Sequence, residues 1–265
     1  MNKIISFCLW GDTPLYTKGA IRNAELAKVI YPDWVCRFYI PKDKSNMTAC
    51  MHPSHHSGDN SIITIKAVPA IIIEALKEQE AEIIRIEDDG SWKSMLWRFY
   101  AADDADIVIF RDCDSRLTYR EKAAVDEWVN SDKKVHMMRD HPWQCAPIQA
   151  GMWGIKKGIL NNFTEIINAY LKTKNSKVGY YQIDQDFLIP LNKYLVQFMM
   201  SHSSYSNSSQ STIPFPTQRY KQQFIGQPYD EMGKALITLD GKTNAKMINE
   251  FFELDNESEV ILNKN

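Results

Sequence analysis

Short apolar runs alternate with helically spaced segments through the first half of this 265-residue chain. That alternation predicts an α/β protein whose strands are mostly parallel, with helices on both faces of one sheet. Ile4 to Leu9 reads as a buried strand opening into a loop at Trp10-Gly11-Asp12. Ala20 to Ile30 has helical spacing and stops before Pro32, and Trp34 to Ile40 is a second strand halted by Pro41. Residues 42–60 are polar and rich in His, Ser, Asn and Met, the composition of a surface loop. Ala70 to Glu80 is helical and Glu82 to Ile86 is a third strand. Trp92, Met95, Leu96 and Phe99 then fall at i, i+3, i+4 and i+7, one apolar helix face. Asp106 to Phe110 is a fourth strand, and Thr118 with Glu121 can form a capping box for a helix turning Val125, Trp128 and Val129 inward.

Past residue 134 the pattern loosens. Val135 to Met138 and Met152 to Ile155 read as strands, and helices are expected near 159–173 and 184–196. Residues 201–223, with a Ser-rich stretch followed by Pro214 and Pro216, read as a long irregular segment of the kind that is usually functional or mobile. The length suits one domain: a nucleotide-binding half (1–116), a second half (117–230) and a C-terminal extension (231–265).

Composition removes several function classes. With 31 Lys+Arg against 33 Asp+Glu, the formal charge of −2 does not fit a broad nucleic-acid surface. No apolar run reaches 18 residues, so no spanning helix is expected. The N-terminal apolar stretch is too short for a signal peptide. The five cysteines are scattered and never spaced Cys-x-x-Cys, which favours a reducing cytoplasm and leaves the Asn-x-Ser/Thr sequons at Asn46, Asn162, Asn207 and Asn256 without meaning. Peripheral attachment to a membrane is compatible with these features.

The strongest chemical signal is Asp106-Ile-Val-Ile-Phe-Arg-Asp-Cys-Asp-Ser-Arg116. A buried strand ends by projecting Asp112 and Asp114 at its carboxyl end, the edge where open α/β sheets bind ligands. Two such carboxylates can hold a hard divalent cation that keeps waters and takes further oxygens from a diphosphate. Arg111 and Arg116 flank them, and guanidinium suits phosphate. The plainer reading is an Asp-rich turn facing water.

This element resembles the Asp-x-Asp motif of GT-A-type glycosyltransferases. The preceding Met95-Leu-Trp-Arg-Phe-Tyr100 fits the basic residue such enzymes carry on the helix before that strand. His136-Met-Met-Arg-Asp-His-Pro142 and Ile148-Gln-Ala-Gly-Met-Trp-Gly154 look like the family's acceptor-side strand and glycine turn. Tyr181-Gln-Ile-Asp-Gln-Asp-Phe-Leu188 is similar to the Asp-Gln-Asp segment of the glycogenin-like and lipopolysaccharide galactosyltransferase branch. The likeness spans about residues 1–230.

The resemblance implies a GT-A, Rossmann-like fold and transfer of a hexose from a nucleoside-diphosphate sugar, UDP-linked by expectation, to a glycan or lipid-linked hydroxyl. It implies Mn²⁺ or Mg²⁺ on Asp112 and Asp114, with Asp112, Arg98 and Arg111 at the donor nucleotide. Trp10, Gly11 and Tyr16 match the place where the base is held; the two aromatics are equally compatible with a core role. Asp184, Gln185 and Asp140 are expected at the reacting centre, and His141, Gly151, Trp153 and Asp186 at the sugar. Each also has an ordinary structural reading: a helix N-terminus for the acidic pair, a plain turn for Gly151, a core position for Trp153, and a loop kink for His141-Pro142.

His202 is the expected third metal ligand. Ser203 follows it where the family often has an acidic residue, and Gln223-Phe-Ile-Gly226 offers a second match to the glycogenin-like histidine segment without the histidine. His52, His55 and His56 lack zinc-motif spacing and read as a solvated loop. Three other classes fit less well. A nucleotidyltransferase making sugar nucleotides would need a glycine-rich, Arg-containing loop after the first strand, which Trp10-Gly11-Asp12-Thr13 does not match. A haloacid-dehalogenase-type phosphohydrolase would want its Asp-x-Asp on an early strand followed by Thr or Val, whereas Ser115-Arg116 follow here. A non-catalytic scaffold that only binds nucleotide, glycan or protein would keep the fold without the chemistry.

Overall fold

The computed structural model describes residues 1–42, 47–50, 62–88, 90–160, 162–174, 182–205 and 211–239. His52, His55, His56, the sequons at Asn46, Asn207 and Asn256, and the end of the expected C-terminal extension lie outside them.

Among the described residues nine strands form: β1 (Lys3–Cys8), β2 (Val35–Pro41), β3 (Met47–Cys50), β4 (Ile62–Ile65), β5 (Glu82–Ile86), β6 (Ile107–Arg111), β7 (Val135–Arg139), β8 (Met152–Lys156) and β9 (Met199–Ser203). Seven build one sheet in the order β5-β2-β1-β6-β8-β7-β9, and β3 with β4 forms a separate antiparallel ribbon. Within the large sheet only β8 runs antiparallel to its neighbours. This is the mixed, mostly parallel α/β architecture the alternation predicts.

The helices are α1 (Pro14–Ile30), α2 (Ala70–Glu78), α3 (Tyr119–Val129), α4 (Phe163–Thr173) and α5 (Ile183–Leu195). α1, α2 and α3 bury one sheet face, packing on Ile5, Phe7, Phe38, Ile107 and Ile109. α4, α5 and the segment Trp92–Asp103 bury the other, packing on Ile4, Tyr39, Val108, Phe110 and Trp153. Alternate residues of each strand face opposite layers, so Ile107, Ile109 and Arg111 point to α3 while Val108, Phe110 and Asp112 point away from it.

Four expectations change. Met47–Cys50, expected within a surface loop, is the strand β3, paired with β4. Trp92–Asp103 is a 3₁₀ helix, opened by the Ser91 amide donating to Ser94 Oγ (2.8 Å) and the Ser94 amide donating to Ser91 O (2.9 Å). Its three-residue repeat aligns Met95, Arg98 and Ala101 in one row, which carries Arg98 into the interior. Thr118 caps α3 by accepting from the Glu121 amide, but the Glu121 side chain does not return to it. That carboxylate turns inward to Arg111 Nε (2.6 Å) and the Tyr31 hydroxyl (3.2 Å). And Met199–Ser203, expected at the start of an irregular segment, is the edge strand β9, parallel to β7 from Val135↔Met199 to Arg139↔Ser203.

Candidate functional site

The chain leaves β1 toward β2 on one side and returns to β6 on the other, so the carboxyl ends of β1 and β6 flank a crevice of the kind open α/β sheets use for ligands. Trp10-Gly11 leaves β1 there, and Asp112-Cys113-Asp114 leaves β6. Gly11 turns the chain at φ 79°, a conformation few other residues tolerate.

The Asp112–Arg116 loop is held from below by α1. Asn23, fully buried, donates to Ser115 O (2.8 Å) and Cys113 O (3.4 Å) and accepts from the Leu117 amide (3.1 Å). Gly19, one helical turn earlier, lies so close that a β-carbon would overlap Cys113 O. Neither residue was singled out in the sequence. The only available signal was a glycine inside a helical pattern, which marks close backbone approach.

Above the loop, Arg98 gathers the acidic groups. Its guanidinium pairs with Asp112 Oδ1 and with Asp184 Oδ2, and it donates to the Arg111 carbonyl (3.2 Å). Burial favours the neutral guanidine, but the charges of Asp112 and Asp184 outweigh it and hold Arg98 protonated. Burial raises the Asp184 carboxyl, with Arg98 opposing. Asp114 is pushed up to about 7, first by desolvation and then by the charge of Asp112. Arg98 is therefore neither solvated nor extended toward a nucleotide; it ties together the strand end and the first turn of α5.

Gly151 opens the space in front of Asp112. A β-carbon there would overlap Asp112 Oδ2 and crowd Cγ. Gln185 fixes the approach to that glycine, since its carboxamide donates to Ile148 O and accepts from the Ala150 amide (3.1 Å). Asp186, half-buried, sits in the same first turn of α5. Asp112, Asp114, Gly151, Asp184 and Gln185 thus meet at one place, through Arg98 and the 148–151 turn.

Among the described residues no group of three or more His, Cys, Asp or Glu side chains is placed to hold a metal ion. Asp112 and Asp114 offer hard oxygen donors beside a cradle that a β-carbon would fill. That set fits a divalent cation completed by water and diphosphate oxygens better than one caged by protein alone.

Several residues lie elsewhere. His202 is on β9, with β7 and β8 between it and β6, and faces the α3 layer. Its Nδ1 is 2.8 Å from His136 Nε2 and its Nε2 is 3.2 Å from Glu127 Oε2. The carboxylate can only accept, so His202 donates from Nε2 and accepts at Nδ1, and His136 donates from Nε2. Both ring nitrogens of His202 are committed, which corrects its expected role as third ligand.

Arg111 is buried on the α3 side with Glu121, because consecutive strand residues cannot share a face with Asp112. It is a structural ion pair, not a nucleotide contact. Arg116, also buried, lies over the Tyr229 ring (5.1 Å). Asp140 has no exposed side chain and accepts from Arg120 (3.0 and 3.1 Å), Arg219 (2.6 Å), Ser204 (2.5 Å) and the Ile225 amide (3.1 Å). Burial would raise its pKa, but these bonds hold it below the ordinary carboxylate range. It anchors Ser204, Arg219 and Ile225 and is unavailable as a base.

His141 is similarly committed. It accepts from the Trp143 amide at Nδ1 (3.1 Å), and its Nε2 lies 3.0 Å from Thr238 O. Trp153 is fully buried among Phe99, Phe110 and Phe163, which settles it as a core residue. Trp10, half-buried, meets Trp92 edge-on at 5.5 Å, and Tyr16 is exposed on α1.

No protein-family model matches this chain, and no curated protein matches it in sequence. Among solved structures it is similar to glucosyl-3-phosphoglycerate synthase from Mycobacterium tuberculosis in complex with uridine diphosphate. That match has 12% identity over 88% of this chain and 75% of the other, with a TM-score of 0.41. It is also similar to the galactosyltransferase LgtC in complex with donor and acceptor sugar analogs, at 13% identity over 77% and 74% and a TM-score of 0.42. An active-site mutant of LgtC aligns over 97% and 96% at 11% identity, with a TM-score of 0.47. At such identities function has to come from the site itself. Among the described residues no helix is long and apolar enough to cross a membrane.

Proposed function

We propose that the chain is a glycosyltransferase of the GT-A type that moves a hexose from a nucleoside-diphosphate sugar, UDP-linked by preference, to a hydroxyl of a glycan or lipid-linked acceptor. The observation that carries this reading is the convergence of Asp112 and Asp114, at the carboxyl end of β6, with Gly151 and the Asp184-Gln185 turn of α5. A plain acidic turn would not need a glycine opposite its carboxylate, nor a buried arginine binding it to a second carboxylate.

Asp112 and Asp114 would hold Mn²⁺ or Mg²⁺ and, with it, the donor diphosphate. The cation supplies positive charge to the diphosphate as it leaves. Arg98 keeps Asp112 oriented from behind and pairs with the buried Asp184, so both carboxyl groups are fixed in position under the donor. Gln185 sets the 148–150 turn and through it the Gly151 opening, a positioning role. Asp186 is the carboxylate of this turn assigned to the sugar hydroxyls. Trp10 and Tyr16, at the mouth of the β1 crevice, offer aromatic faces for the base.

The test is a panel of nucleotide sugars with Mn²⁺ or EDTA, reading nucleotide binding and slow donor hydrolysis. Manganese-dependent binding of at least one donor, abolished in Asp114→Asn with the circular-dichroism spectrum intact, is the expected outcome. Full activity of that variant, or no metal-dependent binding of any donor, overturns the reading.

A further inference from the structure

Of the seven tryptophans, four are buried and Trp10 and Trp92 cover each other; Trp143 alone is exposed, at 62%. It sits on the β7–β8 connection, at the same sheet edge as Asp112, and is held there rigidly. The turn closes with the Gln144 amide on His141 O (3.0 Å), and the Trp143 amide donates to His141 Nδ1 (3.1 Å). Gln144 Oε1 accepts from the Asp140 and His141 amides (2.6 and 2.9 Å). The Trp143 indole stands edge-on to the His141 ring (5.4 Å), whose position is set by Phe224 and Thr238 O.

The same turn is tied to the candidate site. Gln144 Nε2 contacts Met152 Sδ (3.3 Å) and donates to Ile225 O (2.8 Å), and Met152 follows Gly151, the residue facing Asp112. A large apolar ring kept in water by a preorganised polar turn, at the sheet edge that carries Asp112, has the construction of a binding surface: little backbone freedom is left to lose on contact. Two of the expected sugar contacts offer no free face there, since His141 is committed to the Trp143 amide and Thr238 O and Trp153 to the core.

We propose that Trp143 is the stacking platform for a pyranose ring of the acceptor, its indole face covering the apolar C–H face of the sugar. Aromatic faces suit such rings because they bury apolar area while leaving the hydroxyl edge wet. This rests on the glycosyltransferase reading for its place in a reaction, but the contact is measurable without turnover.

The experiment applies the full chain, Trp143→Ala and Trp143→Phe to an array of immobilised hexose-terminated glycans, while UDP binding with Mn²⁺ is measured in parallel on the wild-type chain. The expected result is wild-type binding to a subset of glycans, weakened at least tenfold in Trp143→Ala and largely kept in Trp143→Phe, which retains a flat ring. Undiminished binding by Trp143→Ala, or no wild-type binding to any glycan, overturns the proposal. Glycan binding that depends on Trp143 without any UDP binding upholds the platform and overturns the transferase reading instead.

Discussion

Gly151 stands against the carboxylate of Asp112 with no room for a β-carbon between them. The strand end that presents Asp112 and the turn before β8 therefore form one surface, although 39 positions separate the two residues. Asp112 is kept in place from the other side by Arg98. Replacing Gly151 by Ala must push the carboxylate off its position or distort the turn that Gln185 holds, an overpacking cost of about 1–3 kcal/mol. Gly151→Ala is expected to remain folded and to lose manganese-dependent nucleotide binding by tenfold or more, measured by titration calorimetry.

The buried Arg98 pairs with two carboxylates, the half-exposed Asp112 and the buried Asp184. Arg98→Met removes the charge and leaves Asp184 buried without its partner, a change of about 3–5 kcal/mol in the unfavourable direction. Urea unfolding should show that loss. Combining it with Asp184→Leu should recover much of the stability while nucleotide binding stays lost, because the defect in binding belongs to Asp112.

Asn23 satisfies three backbone groups of the loop after β6 with one side chain. Asn23→Ala leaves buried peptide groups unpaired at about 1–3 kcal/mol. The prediction is a lower urea midpoint together with weaker metal-dependent binding, although Asn23 touches neither aspartate in the present hydrogen-bond scheme. Unchanged binding would show that the loop keeps its shape without α1.

The His136–His202 pair makes stability depend on pH. Burial holds both imidazoles neutral, with His202 adding to the effect on His136, so their folded pKa values lie below the unfolded value. Arg111 and Lys156 near His136 and Arg120 near His202 act in the same direction; Glu127 opposes it at His202. Below about pH 6.5 the unfolded chain binds protons the folded one refuses, so this contribution is complete above pH 6.5 and declines as pH falls. Each refused proton costs about 1.4 kcal/mol per pH unit. Chemical denaturation between pH 7.5 and 5.5 should show this slope, and it should flatten in His136→Phe/His202→Leu. A double variant with the wild-type slope would refute the assignment.

Asp140 adds a pH dependence of the same sign at lower pH. Its ion pairs with Arg120 and Arg219 depress its pKa, so its contribution is present above about pH 4 and lost as pH falls through the folded value. Asp140→Asn leaves two guanidinium groups facing an amide. The expected readout is a stability loss of several kcal/mol at pH 7 that shrinks on acidification, with proteolysis rising around Arg219 and Ile225, which Asp140 anchors.

Much of this was legible in the chain. The apolar runs at Ile4, Trp34, Glu82, Asp106, Val135 and Met152 became strands, and Asp112 was correctly placed just past one of them. Strand alternation alone already separated Arg111 from Asp112, had it been applied to the basic residues as well as the apolar ones. β9 escaped notice because Met-Met-Ser-His-Ser has little strand character and is stabilised by pairing with β7, more than sixty residues away in sequence. Arg98 was misplaced because the same spacing serves an α-helix and a 3₁₀ helix with different inward rows.

The amino-acid sequence by itself determined most strands of the large sheet and which strand end carries the paired carboxylates, because those patterns are set by residues within a few positions of one another. Only the tertiary structure decided the partners. It gave Arg98 to Asp112 and Asp184, Glu121 to Arg111, Asp140 to Arg120 and Arg219, and His202 to His136 and Glu127. A polar side chain taken out of water must find a complementary group wherever the packed layers bring one within reach, and that distance is fixed by the whole fold.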